Sequence, residues 1–233
     1  MSRLARIVIP GFPHHVTQRG NRRADVFHDD ADRFKYLSLF DQYRQAHGLD
    51  IWAYCLMSNH VHWIVVPENE TSLAKTFRDA HTAFALAMNR KRGESGHLWQ
   101  GRFFSCPLDV THAWAAVRYV ERNPVRARMV ERAEAYRWSS AAAHCGLRGD
   151  RFLSGQFPPP GVVPDWSAWL LNEDQHQTEA IRSKTHTGRP CGAREFVDQL
   201  ESLLSRMLHP QKRGPKKKQS LDDSGSLLSS LSL

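Results

Sequence analysis

The sequence predicts an α+β fold in which one antiparallel sheet carries helices on one face. Three observations predict it. Two apolar runs, 49–57 and 60–67, flank a polar Ser58-Asn59 turn and read as a β-hairpin. Helical patterns with their own start and stop signals lie on either side of that hairpin. Short strand-like segments open and close the series, at 14–20 and 102–108. The resulting order, β-α-β-β-α-β and then a further helix, is the split β-α-β or ferredoxin-like plan.

Each element has a local reason. HHVTQRG, 14–20, reads as the first strand. Asp29 or Asp30 caps a helix that runs to about His47 and stops at Gly48, with Phe34, Leu37 and Phe40 as its apolar stripe. Leu49 to Met57 and His60 to Pro67 form the hairpin. Thr71 or Ser72 caps the next helix, to about Lys91, where Leu73, Ala74, Phe77, Phe84, Ala85 and Met88 recur at helical spacing. Gly93, Gly96 and Gly101 mark a loop, and Arg102 to Leu108 a fourth strand. Asp109 or Thr111 opens a helix through Tyr119, and Pro124 breaks it or starts another. The Pro-rich 148–164 stretch reads as a linker, followed by a small helical piece at 165–182. Arg194 to Leu208 is amphipathic, with Phe196, Val197, Leu200, Leu203, Leu204, Met207 and Leu208 on one face. That face must be covered by the body, a neighbour or a partner. Residues 211–218 are a basic run and 219–233 a Ser/Leu-rich tail of low complexity, expected to be disordered.

Composition bounds the function. The chain has 233 residues, 41% hydrophobic and 24% charged, as in ordinary globular proteins. Its longest apolar stretch, Ile51 to Met57, is far short of the ~20 residues of a membrane span. Met1 to Pro10 lacks a signal-peptide core, and Cys55, Cys106, Cys145 and Cys191 form no C-x-x-C pair. The expectation is a cytoplasmic, nucleoid-associated protein with reduced thiols, no membrane partner and no small-molecule cofactor. The net charge is +8, and its distribution is uneven. Residues 182–218 hold ten basic and three acidic side chains, so a nearly balanced body carries a strongly basic extension. Nucleic acid is the favoured partner.

Four patterns could carry chemistry. In His60-Val61-His62 the histidines at i and i+2 share one strand face and could hold a divalent metal with a third ligand. On spacing alone they read equally well as half-buried sheet histidines. Tyr119 and Asn123 are four apart and share a helix face if the helix persists. A tyrosine hydroxyl, with pKa ~10, attacks a phosphodiester only with help from its surroundings. The plainer reading is a packing tyrosine and an Asn capping the helix that Pro124 begins. Arg19, Asn21, Arg22 and Arg23, with Arg102 beside Trp99, Phe103 and Phe104, could hold phosphates and stack bases. Thr187-Gly188-Arg189-Pro190 and Arg213-Gly214-Pro215-Lys216 could lay Arg189 and Lys216 along DNA, or be a solvated basic tail.

In order and spacing, GFPHHVTQRGNRR, AYCLMSNHVHWIVVP, GRFFSCPLD, RYVERNPVRARMV and YRWSSAAAH resemble the REP-associated tyrosine transposases. These are single-tyrosine members of the HUH (His, hydrophobic, His) endonuclease superfamily. The resemblance covers about residues 3–145 and resumes over 185–218, where THTGRPCGAREFVDQLESLL is similar to the family's C-terminal extension. It implies a ferredoxin-like (RRM-like) catalytic domain at 1–147, a linker at 148–164, a basic helical DNA-binding extension at 165–218 and a tail at 219–233. It implies that Tyr119 attacks single-stranded DNA to give a 5′-phosphotyrosine and a free 3′-hydroxyl. Mg²⁺ or Mn²⁺ would be held by His60 and His62, with Asn123 as third ligand one carbon shorter than the family's usual Gln. The implied substrates are hairpins of repetitive extragenic palindromes, bound by a monomer or homodimer. The competing expectation is a domesticated, non-catalytic DNA-binding regulator. A histidine-triad hydrolase is disfavoured, because Ile64 stands where its third histidine belongs.

Overall fold

The computed structural model of the chain describes residues 6–155, 157–158 and 162–209. Strands β1 (His14–Arg19), β2 (Leu49–Leu56), β3 (His60–Pro67) and β4 (Phe104–Pro107) form one sheet in the order β2-β3-β1-β4. Every neighbouring pair is antiparallel. The hairpin and the two central strands lie where the sequence places them. The fourth strand begins at Phe104 rather than Arg102, because Gly101, with φ of +67°, still belongs to the loop.

Helix α1 (Asp30–His47) has the expected ends. Asp29 accepts from the Asp32 amide at 2.8 Å, and Gly48 turns left-handed at φ +63°. Its buried face is Tyr36, Leu37 and Phe40. Phe34, expected in that stripe, is 52% exposed and instead meets Trp138 edge-on at 4.9 Å. Helix α2 (Ser72–Arg92) buries Leu73, Phe77, Ala80, Phe84 and Met88.

Helices cover both faces of the sheet, not one as expected. Val16, Tyr54 and Trp63 are cross-strand neighbours on one face. There Phe40 stacks on Trp63 with centroids 3.9 Å apart, which places α1 on that side with α2 against it. Helix α3 (Val110–Glu121) lies on the other face, where Tyr119 meets His15 and His62 edge-on. Beyond it, α4 (Asn123–Arg126) begins with Pro124 in its first turn and α5 (Ala141–His144) follows. Helices α6 (Trp166–Leu171) and α7 (Gln175–Thr187) come next, and α7 packs on β4 and α3. The reason is legible in β3 itself. Val61, Trp63 and Val65 alternate with His62 and Ile64, and all five are buried, so both faces need a cover.

One core runs from the sheet into Phe157, Trp166, Leu170, Ile181 and Cys191. Phe157, within the expected linker, stacks on Trp52 at 4.5 Å. Helix α8 (Arg194–Leu204) is shorter than its sequence pattern and ends at Ser205 with φ +49°. Phe196, Val197 and Leu200 close over Ile7 and Ile9, whereas Leu203 and Met207 face outward.

The chain also ties down both outer strands. Beside β2, the Leu56 amide donates to Trp138 O, Ser140 N donates to Tyr54 O, and Ser154 N donates to Ile51 O, at 2.7–3.0 Å. Beside β4, Cys191 N donates to Pro107 O at 2.9 Å and Asp109 N to Cys191 O at 3.2 Å. The basic run at 211–218, including Lys216, and the 219–233 tail lie outside the described residues.

Candidate active site

The antiparallel register of β1 and β3 sets Thr17 opposite His62 and His15 opposite Ile64. Strand alternation therefore puts His15, His60 and His62 on the face that α3 covers. The His60 and His62 rings are 5.0 Å apart at 80°. His60 Nδ1 donates to Asn59 Oδ1 at 2.6 Å, and His62 Nδ1 meets His15 Nε2 at 2.9 Å. In each ring the hydrogen bond is made by Nδ1, and no described residue bonds Nε2. Burial lowers the pKa of His60 to about 4 and holds His62 well below its usual value, so both rings are neutral at pH 7.

Helix α3 presents Tyr119 to this pair. Asp109 fixes the start of the helix by accepting from the His112 amide at 2.7 Å. Ten residues on, the buried Tyr119 ring lies 5.6 Å from that of His62 and 5.5 Å from that of His15. Burial raises its pKa, and the nearby charges of Arg126, Arg182 and Arg19 oppose the rise. Arg126 stands over the ring at 4.2 Å and is held by Glu173 Oε1 at 3.1 Å. Asn123 opens α4, and its Nδ2 reaches the carbonyls of Tyr119 and Val120 at 3.2 and 3.4 Å. Among the described residues, none hydrogen-bonds its Oδ1.

The basic candidates divide. Arg19 ends β1 opposite His60. Asn21, Arg22 and Arg23 form an exposed 3₁₀ turn, with Arg22 and Arg23 in the left-handed region at φ +53° and +63°. The turn is possible because residue 20 is glycine: a Cβ there would lie 2.2 Å from Ala24 O. Asn59 Nδ2 donates to Arg23 O, Asn21 N to Leu98 O, and Gln100 N to Arg19 O. These bonds gather Arg19, Asn21–Arg23 and the loop carrying Arg102 at the His60 end of the sheet. Arg189 is elsewhere. It follows α7, donates to Leu208 O, and lies near Cys191, which bridges Leu108 at the His14 end.

A family model described as "Transposase IS200 like" matches residues 11–123, which span the whole sheet, Tyr119 and Asn123. Over residues 11–123 the chain belongs to the IS200-like transposase family. Its structure is similar to that of a REP-associated tyrosine transposase bound to a REP hairpin. That likeness has a TM-score of 0.55 and 21% identity, covering 64% of this chain and 89% of the other, and it shows a shared fold. A provisionally described transposase from Deinococcus radiodurans aligns with TM-score 0.37 and 14% identity, over 55% and 92% of the two chains. No curated protein matches the sequence.

Four residues at the centre of this site escape sequence reasoning. His15 and Thr185 lie 170 positions apart yet bond at 2.7 Å. Arg126 and Glu173 form a pair across 47 positions. The signal for His15 is its phase, since His14-His15 opens a strand and one of the two must share a face with His60 and His62. Arg126 lies seven residues after Tyr119, but Pro124 interrupts the helix and hides that phase.

Proposed function

We propose that the protein is a metal-dependent single-tyrosine transposase that cuts and rejoins single-stranded DNA at REP-type hairpins. The observation that carries this is the meeting of His60, His62 and Tyr119 on one sheet face, with both imidazole Nε2 atoms left for a ligand. Neutral imidazoles with Nδ1 already engaged are the donor set a divalent cation needs. His60 and His62 would hold Mg²⁺ or Mn²⁺, with Asn123 Oδ1 as third ligand. Mn²⁺ suits the nitrogen donors better. Bound there, the ion would polarise the scissile phosphate and offset its developing charge.

The chain's own groups do the rest. The Tyr119 oxygen forms a bond to phosphorus as the 3′-oxygen leaves, giving a 5′-phosphotyrosine and a 3′-hydroxyl. The phosphodiester energy is kept in that link, so another 3′-hydroxyl can reverse the step. Arg126 supplies positive charge beside the Tyr119 oxygen. Arg19, Asn21, Arg22, Arg23 and Arg102 hold the single strand at the His60 end, and Arg189 with Lys216 in the basic extension binds the hairpin stem. That the similar structure carries a REP hairpin supports the choice of substrate. Among the described residues, no helix is long and apolar enough to cross a membrane.

The test is a denaturing gel of protein mixed with single-stranded hairpins from the repeats of its own genome, with Mg²⁺ or Mn²⁺. A protein–DNA adduct that vanishes in Tyr119→Phe and with EDTA is expected. Cleavage that survives Tyr119→Phe would remove Tyr119 as nucleophile. Tight binding without an adduct across several hairpins would favour the non-catalytic regulator.

A further inference from the structure

We infer that Thr185 and His15 are positioning residues that set the tautomer and orientation of His62, so that the C-terminal helix α7 completes the metal site. The inference rests on the metal reading above for its consequence, but not for its geometry. Thr185 is buried in α7 and makes two short hydrogen bonds: its Oγ1 lies 2.7 Å from Ile181 O, one turn back, and 2.7 Å from His15 Nδ1. A carbonyl can only accept, so the one hydroxyl proton of Thr185 goes to Ile181. Toward His15 the hydroxyl can therefore only accept, and His15 Nδ1 carries a proton.

The same logic passes along the line. His15 is buried, and among the described residues its ring nitrogens meet Thr185 Oγ1 and His62 Nδ1 and no carboxylate, so it holds a single ring proton; with that proton on Nδ1, Nε2 is a bare acceptor. His15 Nε2 lies 2.9 Å from His62 Nδ1, which must then be the donor. Neutral His62 has one ring proton, and this bond places it on Nδ1. His62 Nε2 is left with its lone pair. Without the Thr185–His15 line, no hydrogen bond from a described residue holds the His62 proton on Nδ1, and a proton on Nε2 would block the ligand position. Cys106, whose Sγ lies 3.2 Å from Thr185 Oγ1, helps enclose the hydroxyl from the β4 side. The line runs from α7 through β1 to β3, joining segments far apart in sequence.

Nitrogen-detected NMR of metal-free protein labelled on histidine tests this directly. The expected spectrum shows His62 protonated at Nδ1. A dominant Nε2–H form in the wild type would overturn the inference without any variant. Thr185→Val keeps the side-chain shape and removes the hydroxyl, and His15→Phe keeps a ring and removes the acceptor. Both are expected to give mixed His62 tautomers and to weaken Mn²⁺ binding, read by electron paramagnetic resonance, by about tenfold or more. Thr185→Ser should restore both readouts. Unchanged tautomer and unchanged Mn²⁺ affinity in folded Thr185→Val would also overturn it. If His60→Ala and His62→Ala bind Mn²⁺ as the wild type does, the metal reading fails, and the tautomer spectrum still decides the line.

Discussion

Arg126 lies over the ring of Tyr119, its guanidinium carbon 4.2 Å from the centroid, and its Nη2 also donates to the Tyr119 carbonyl at 2.6 Å. The two residues stand on opposite sides of the break at Pro124. Burial opposes ionisation of Tyr119, and Arg126 is the leading charge that favours it. Arg126→Met should therefore slow adduct formation by about 100-fold, the scale seen on removing one preorganised group that stabilises developing charge. The rate should also shift its pH dependence upward. Glu173→Gln, which loosens Arg126 without removing it, should cost less. Single-turnover adduct kinetics across pH check both.

Glu121 is a buried carboxylate that joins three segments. Its Oε1 accepts from Ser140 Oγ at 2.5 Å and His144 Nδ1 at 2.6 Å, and its Oε2 from Trp166 Nε1 at 2.8 Å. Glu121→Gln would replace an acceptor with an amide NH₂ facing a donor. The expected loss is about 3 kcal/mol, read as a lower urea midpoint. Tyr119 lies two residues away on α3, so adduct formation should fall in parallel.

Stability should decline in mild acid. Burial lowers the pKa of His14 to about 4 and of His81 to about 3, against 6.5 in an unfolded chain. Between those values the unfolded chain binds protons that the folded one refuses. Stability is therefore full above pH 6.5 and is lost as pH falls toward 4. Each such histidine contributes about 1.4 kcal/mol per pH unit in that window. Urea titrations at pH 7, 6 and 5 should show the slope. His81→Gln, which removes one of the two groups, should flatten it.

The basic turn offers a separable binding test. Arg22→Ala with Arg23→Ala should weaken hairpin binding and make the plot of log affinity against log salt shallower. The slope should fall by about 0.7 for each phosphate of the single strand that the turn no longer neutralises. Gly20→Ala should do so without removing a charge, because its Cβ would meet Ala24 O and displace the turn. Its melting temperature should stay closer to wild type than its affinity does.

Much of this site was legible in the sequence, for local reasons. Asp29 and Gly48 bracket α1 because capping is decided by adjacent residues. His60 and His62 share a face because a strand alternates side chains. What stayed hidden depends on distance. Which face α3 covers is decided by packing, and both faces of β3 are apolar enough to demand it. Phe34 breaks its helical stripe because Trp138, over a hundred residues later, offers it a ring at the surface. Thr185 looks like one more threonine in a basic segment until the fold brings it to His15. The partners of His62 and Tyr119 are therefore visible only once α4, α7 and the sheet are assembled.

The ties along β2 and β4 have a consequence for self-association. The outer strands of an open sheet usually present unpaired amides and carbonyls, which invite a strand from another molecule. Here the 138–140 segment and Ser154 occupy such groups on Ile51, Tyr54 and Leu56 of β2, and Cys191 occupies the Pro107 carbonyl at the end of β4. Sheet growth by adding a neighbour's strand would first have to strip off pieces of the chain itself. The same ties oppose fibre-like stacking at the β2 edge.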